Sequence, residues 1–142
     1  MTQKQIQIIK KSWRIFMKID PVAVGGLFYD KLFHEFPELE KMFTNSREEQ
    51  AKKLIDMVNV VVMRLDRLTE LTEDIRQMAI RHVKYGVVPV HYQHVGGALL
   101  WTLERGLGSD WNPELAEAWT QCYTLLADTM ISATGHQPKQ ES

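Results

Sequence analysis

The sequence lacks several features that mark particular classes of protein. Its 142 residues include one cysteine, Cys122, so no disulfide can form within the chain, and a reducing compartment suits it. The longest strongly apolar run, residues 60–63, is far too short to span a membrane. The first seven residues have no apolar core of the kind found in secretory signals. We therefore expect a cytoplasmic protein.

The chain also lacks an excess of either positive or negative charge. The formal net charge is −1 at pH 7, whereas nucleic-acid-binding domains usually carry a basic excess. The sequence contains no glycine-rich phosphate loop, no nucleophile-elbow motif and no useful pair of carboxylates. These absences argue against a nucleic-acid partner and leave no motif for phosphate binding or acyl transfer.

The chain does contain strong helical periodicity. Apolar residues recur at steps of three and four in almost every segment, the spacing of amphipathic α-helices, and no segment alternates like a strand. Proline, glycine and capping residues divide the pattern into six or seven helices. The dividing signals are Thr2 with Gln5, Asp20 with Pro21, Pro37, Ser46 with Glu49, Pro89, Gly106 with Gly108, and Asn112 with Pro113. We therefore predict an all-α domain over residues 1–135 and a polar tail over residues 136–142.

Two adjacent glycines, Gly25 and Gly26, fall inside the second predicted helix. Each glycine costs a helix about 1 kcal/mol relative to alanine, so the pair needs a physical reason. We predict that another helix crosses closely at this point.

His82 lies on the apolar face of a predicted helix, in register with Leu71, Ile75 and Met78. A histidine in such a place needs partners for its ring nitrogens. It is either a core histidine bonded to a backbone carbonyl, which is the commoner case, or a ligand to a metal. Because its apolar neighbours are not zinc ligands, the second interpretation points to haem iron, which needs only one protein ligand.

Other polar residues are ambiguous when they are taken one at a time. Tyr29 stands among phenylalanines, so its hydroxyl needs a partner if it is buried, and Gln50 shares a helix face with Leu54. Each is most simply a structural or solvated residue. His91 and His94 could share a helix face as zinc ligands do, but no nearby cysteine or acidic pair completes such a site.

Five blocks occur in order along the chain and can be compared with known families. They are Phe28-Tyr29-Asp-Lys-Leu-Phe33, Phe36-Pro37-Glu-Leu-Glu-Lys-Met-Phe43, Gln50-Ala-Lys-Lys-Leu54, Arg81-His82-Val-Lys-Tyr-Gly-Val87 and His91-Tyr92-Gln-His-Val-Gly96. Together they resemble the globins, in particular the bacterial single-domain haemoglobins and the haem domain of flavohaemoglobins. The closing block Ala118-Trp119-Thr-Gln-Cys-Tyr123 fits the last globin helix.

The resemblance implies the globin fold, a three-on-three helical sandwich, with a short link after the third helix and no small fourth helix. It implies one haem b, with His82 as the proximal ligand of the iron and Phe43 stacked against the ring. Tyr29 and Gln50 would be hydrogen-bond donors on the opposite, distal side. The remaining implied roles are closure of the distal pocket by Leu54, haem contacts by Val87, Tyr92 and Val95, a propionate contact by Lys53, and a close helix crossing at Gly25 and Ala51.

The implied function is tight binding of O2 through Tyr29 and Gln50, for storage or delivery, with NO and CO as further ligands. The enzymatic alternative is nitric oxide dioxygenation with a separate reductase. Flavohaemoglobins place a glutamate near the proximal histidine and its tyrosine partner; Tyr92 is present here, but Thr134 stands where that glutamate is expected. A gas sensor and a haem-free interaction module are the remaining alternatives, and the residues of the implied site argue against the latter.

Overall fold

The computed structural model describes residues 1–134, which contain six α-helices and three short 3₁₀ segments. The α-helices are α1 (Gln3–Phe16), α2 (Pro21–Glu35), α3 (Arg47–Met63), α4 (Thr72–Lys84), α5 (Pro89–Leu107) and α6 (Pro113–Ala133), and the 3₁₀ segments are Pro37–Met42, Leu65–Leu71 and Gly108–Asp110. Residues 1–134 contain no strand, which confirms the predicted all-α fold. Within the same residues, no helix has both the length and the apolar character needed to cross a membrane. The predicted tail and its boundary at residue 135 lie outside the described residues.

The helices begin at the predicted capping residues. Thr2 and Gln5 form both hydrogen bonds of a capping box at α1, and the side chains of Asp20 and Asn112 accept backbone N–H groups at the starts of α2 and α6. At α3 the structure forms one of the two predicted capping bonds, in which the Ser46 hydroxyl accepts an N–H three residues later. Each bond pairs an N–H that the first turn would leave free. Residues 43–46 alone join the first 3₁₀ segment to α3, so the predicted short link is confirmed.

The core has two parts. The larger part is centred on side chains that are almost fully buried, among them Trp119, Phe28, Ile9, Leu32 and Leu103. The smaller part is formed by Leu71, Ile75, Ala79 and Met130, where α4 packs against α6. Helix α2 packs against α3 and α5. This arrangement leaves a space between α4 and the helices of the larger core.

Close helix packing explains one of the two adjacent glycines. A Cβ on Gly25 would lie 2.2 Å from the Cβ of Ala51, so the predicted crossing of α2 and α3 is confirmed there. At Gly26 the prediction is wrong, because a Cβ would meet nothing within 4 Å. Gly106 does not end α5 as predicted: it lies inside the helix, where a Cβ would be 2.5 Å from an aromatic ring of α1. Gly108, with a φ of +54°, is the residue that ends α5.

Candidate functional site

A cavity of about 660 Å³ lies among the helices, and α2, the first 3₁₀ segment, α3, α4, α5 and α6 all contribute to its wall. This volume is within the range of about 300–1,000 Å³ that is usual for small-molecule and cofactor pockets. Most of the wall is apolar, and its apolar residues include Phe28, Leu39, Met42, Met57, Leu126 and Met130. The cavity can therefore accommodate a large, mainly apolar group.

The cavity explains why several inward-facing apolar side chains are only partly buried. Leu54, Met78, Tyr92, Val95 and Leu126 all lie on apolar stripes that the sequence directs inward, yet each is only partly buried. All five line the cavity. Inward-facing apolar side chains that the protein itself does not cover indicate a place for an apolar ligand.

His82, on α4, brings an imidazole to the wall of this cavity. Its Nδ1 lies 2.7 Å from the carbonyl oxygen of Met78. A carbonyl can only accept, so Nδ1 must be the donor, and in the neutral ring Nε2 then keeps its lone pair. Burial lowers the pKa of His82, the nearby charge of Arg81 lowers it further, and the bond to Met78 partly opposes them. The ring is thus held neutral and in one tautomer, as a metal ligand requires.

Tyr29, on α2, forms the polar part of another section of the wall. It is 4% exposed, and its hydroxyl donates to the backbone carbonyl of Gln50 at 3.3 Å. Burial raises the pKa of Tyr29 to about 12, although the guanidinium of Arg47 acts in the opposite direction. The Phe43 ring meets the Tyr29 ring edge to face, with 5.3 Å between centroids. Tyr29 is therefore a protonated donor, fixed beside Gln50 on the wall of the cavity.

The structure brings together every residue that the resemblance places at the site. All of them line the 660 Å³ cavity: Tyr29, Phe43, Gln50, Lys53, Leu54, His82, Val87, Tyr92 and Val95. Their common location is a geometric finding, and the role of each residue stays a prediction.

Tyr123 lines the cavity but was not found from the sequence. Its hydroxyl donates to the backbone carbonyl of Tyr92 at 2.6 Å, and burial strongly raises its pKa. Gly96 makes room for it, because a Cβ there would lie 2.6 Å from the Tyr123 ring. Tyr123 follows Trp119 by four residues on α6 and ends the block that fits the last globin helix, so the sequence marks it as part of that helix but not as a site residue.

Among the remaining candidate residues, His91 also lines the cavity, whereas His94 and Thr134 do not, and each forms local contacts. The Nδ1 of His91 accepts the N–H of Val88 at 3.1 Å, and the His94 ring stacks on Phe36 with 3.7 Å between centroids. Among residues 1–134, no group of three or more histidine, cysteine, aspartate and glutamate side chains could hold a metal ion. Thr134 ends α6, where its hydroxyl donates to the carbonyl of Ile131 at 2.9 Å.

The helical fold thus encloses an apolar cavity, and α4 places one neutral, oriented histidine on its wall. The Globin family model matches residues 26–130, and the chain belongs to the globin family.

Similar proteins are found in several bacteria. An uncharacterised globin-like protein of Aquifex aeolicus is 32% identical over 134 residues, which is 93% of each chain. A flavohemoprotein of Vibrio cholerae is 30% identical over 95% of this chain, but this chain covers only 35% of the flavohemoprotein. Among solved structures, a bacterial globin from Campylobacter jejuni has a TM-score of 0.83 and 28% identity, over 94% of this chain and 96% of that one. The chain thus matches whole globins, and about a third of the length of the flavohemoprotein.

Proposed function

We propose that this globin binds haem b through His82 and binds O2 tightly on the opposite side of the ring. One observation carries the proposal. The bond from Nδ1 to the Met78 carbonyl leaves Nε2 available in a cavity that Tyr29 and Gln50 also line. A metal-bound histidine typically donates its other N–H to such a carbonyl, which fixes the ring and strengthens the ligand.

The wall of the cavity fits haem in both size and chemistry. Its apolar residues would hold the porphyrin, with Phe43 against the ring and Val87, Tyr92 and Val95 on the proximal side. Lys53 lies on the same wall as an exposed cation, which suits a propionate. Leu54 would exclude water behind the distal residues.

When bound, haem would supply the iron for a diatomic gas, and the bound gas would carry partial negative charge. Tyr29 remains protonated well above neutral pH, so its hydroxyl can donate to the ligand instead of to the Gln50 carbonyl. The side-chain amide of Gln50 offers a second donor from α3. Each bond should contribute about 1 kcal/mol, and this contribution slows the release of O2.

The test of this role is the O2 dissociation rate of Tyr29→Phe. Loss of a hydrogen bond worth about 1 kcal/mol should raise the rate about fivefold. Tyr85→Phe is a matched control, because Tyr85 lines the cavity on the side of His82, with 6.3 Å between the two ring centroids. Equal rates in the wild type and in Tyr29→Phe would show that the hydroxyl does not stabilise bound O2.

Nitric oxide dioxygenation is the second candidate, because this chain resembles the corresponding third of a flavohemoprotein. It would require a separate reductase as a partner. Two observations favour O2 binding over sustained turnover: His82 donates to a backbone carbonyl, and a threonine stands at position 134 instead of the expected glutamate. Consumption of NO over many turnovers, followed with an added flavin reductase, distinguishes the two functions. We expect slow turnover, limited by the rate at which the haem is re-reduced.

A further inference from the structure

A second cavity, of about 280 Å³, adjoins the main one. We call it the vestibule. The two cavities share Tyr29, Phe43, Asn45 and Gln50, whereas Phe33, Glu40 and Arg47 line the vestibule alone. The shared residues therefore form a partition, and they include both distal donors of the proposed function. Since a water molecule takes about 30 Å³ in the liquid, the vestibule can hold several molecules of diatomic size.

An ion pair lies on the solvent side of the vestibule. Arg47, the first residue of α3, reaches across to α2, where its Nη1 lies 2.5 Å from Oδ1 of Asp30. The Arg47 guanidinium also lies over the Phe33 ring, 5.5 Å from its centroid. The side chains of Arg47 and Asp30 are 44% and 70% exposed, so the pair is at the surface. It ties together the two helices that carry Tyr29 and Gln50.

We propose that the vestibule is the path by which ligands reach the distal pocket, and that the Arg47–Asp30 pair is a latch across its outer mouth. The proposal rests on the haem-globin function proposed above. The vestibule does not suit an anion, because Arg47 is paired with Asp30 and the carboxylate of Glu40 also lines the vestibule. An exposed ion pair is weak and opens thermally, so it can slow passage without preventing it.

The geometry predicts a kinetic effect without an effect on affinity. Opening the mouth lets ligands enter and leave more easily, so association and dissociation rates should rise by the same factor. The weakness of an exposed pair limits this factor to about two- to fivefold. The effect should be larger for a bulky ligand than for a diatomic one.

The experiment uses the haem-loaded, ferrous full-length chain, with CO and n-butyl isocyanide as probes. Association is followed after flash photolysis, and dissociation by ligand replacement. Arg47→Ala and Asp30→Ala should each accelerate n-butyl isocyanide binding and release two- to fivefold, and the double variant should add nothing further. The control is Lys52→Ala, which breaks an exposed pair with Glu48 on the same helix but lines neither cavity. Its rates should equal those of the wild type.

Urea unfolding of the haem-free proteins provides a readout that is independent of ligands. The midpoints of Arg47→Ala and Lys52→Ala should agree, since both variants lose one exposed ion pair. The latch is refuted if haem-loaded Arg47→Ala binds and releases the isocyanide at wild-type rates. It is also refuted if affinity changes while the association rate does not, because Arg47 would then act on the bound ligand. Those results leave the haem-globin function intact, whereas a wild-type chain that takes up no haem refutes both proposals.

Discussion

Replacing Gly25 with alanine should force α2 away from α3. The new Cβ would lie 2.2 Å from the Cβ and 2.6 Å from the Cα of Ala51, whereas ordinary contact begins at 3.4 Å. The helices must therefore separate by about 1.2 Å at this crossing, since a backbone atom and a methyl group cannot rotate out of the way.

The energetic cost follows from two opposing effects. Overpacking a core costs about 1–3 kcal/mol. Alanine stabilises a helix by up to about 1 kcal/mol relative to glycine, which offsets part of this cost. We expect the free energy of unfolding to fall by up to about 2 kcal/mol. The same displacement should weaken the bond between Tyr29 and the Gln50 carbonyl, which is already 3.3 Å long, because Gly25 and Tyr29 are one helical turn apart.

Gly26→Ala provides the matched control. It has the same chemistry one residue further along α2, but its Cβ would meet nothing within 4 Å. We expect this variant to gain about 0.5–1 kcal/mol from the smaller entropy of its unfolded chain. Urea unfolding of the haem-free proteins, with equal m-values, measures both changes. If the two alanine variants are equally stable, the close crossing does not constrain the fold as we describe.

Two further predictions concern buried polar groups. Burial raises the folded-state pKa of Tyr29 from 10.0 to about 12, so the folded state holds this proton more tightly than the unfolded state does. The associated stability, up to about 3 kcal/mol, is fully present below pH 10 and is lost as the pH rises through about 12. In unfolding experiments over this pH range, Tyr29→Phe should therefore lose less stability than the wild type. Identical pH profiles would contradict the shift. Ser12→Ala removes the acceptor of the Trp119 Nε1–H, 3.0 Å away in the core, and should cost about 1–3 kcal/mol in urea unfolding. A cost as small as that of Thr120→Ala, at an exposed hydroxyl of α6, would show that the indole N–H finds another partner.

The helices could be predicted from the sequence because their signals are local. A capping residue such as Thr2 or Asp20 and the N–H that it accepts are three residues apart, so the whole interaction lies within one segment. Apolar periodicity likewise needs no knowledge of the other helices. The helix starts at these capping residues were therefore placed well.

The site could be predicted only through the resemblance. Taken alone, His82, Tyr29 and Gln50 each had a simpler structural interpretation, since the features that join them come from different helices. The partner of the Tyr29 hydroxyl is 21 residues away in the chain. The partner of the Tyr123 hydroxyl is 31 residues away. Such contacts depend on how helices cross, which one helix's sequence does not specify.

The two adjacent glycines show the same limit. Gly25 and Gly26 are identical in the sequence, but successive helical residues point about 100° apart. Only Gly25 faces α3, so only one glycine of the pair is explained by the crossing. Helix propensity indicated that a close approach exists, and only the resemblance, which implies a crossing at Gly25 and Ala51, indicated which glycine permits it.

The visible spectrum of the purified chain, loaded with hemin and then reduced, tests ligation by His82 most directly. We predict a ferrous haem with one histidine ligand that changes at once when CO or O2 is added. His82→Gly should lose this spectrum and regain it with added imidazole. A chain that stays colourless with hemin, or a reduced form with the sharp, split bands of a low-spin bis-histidine haem, would contradict the proposed site.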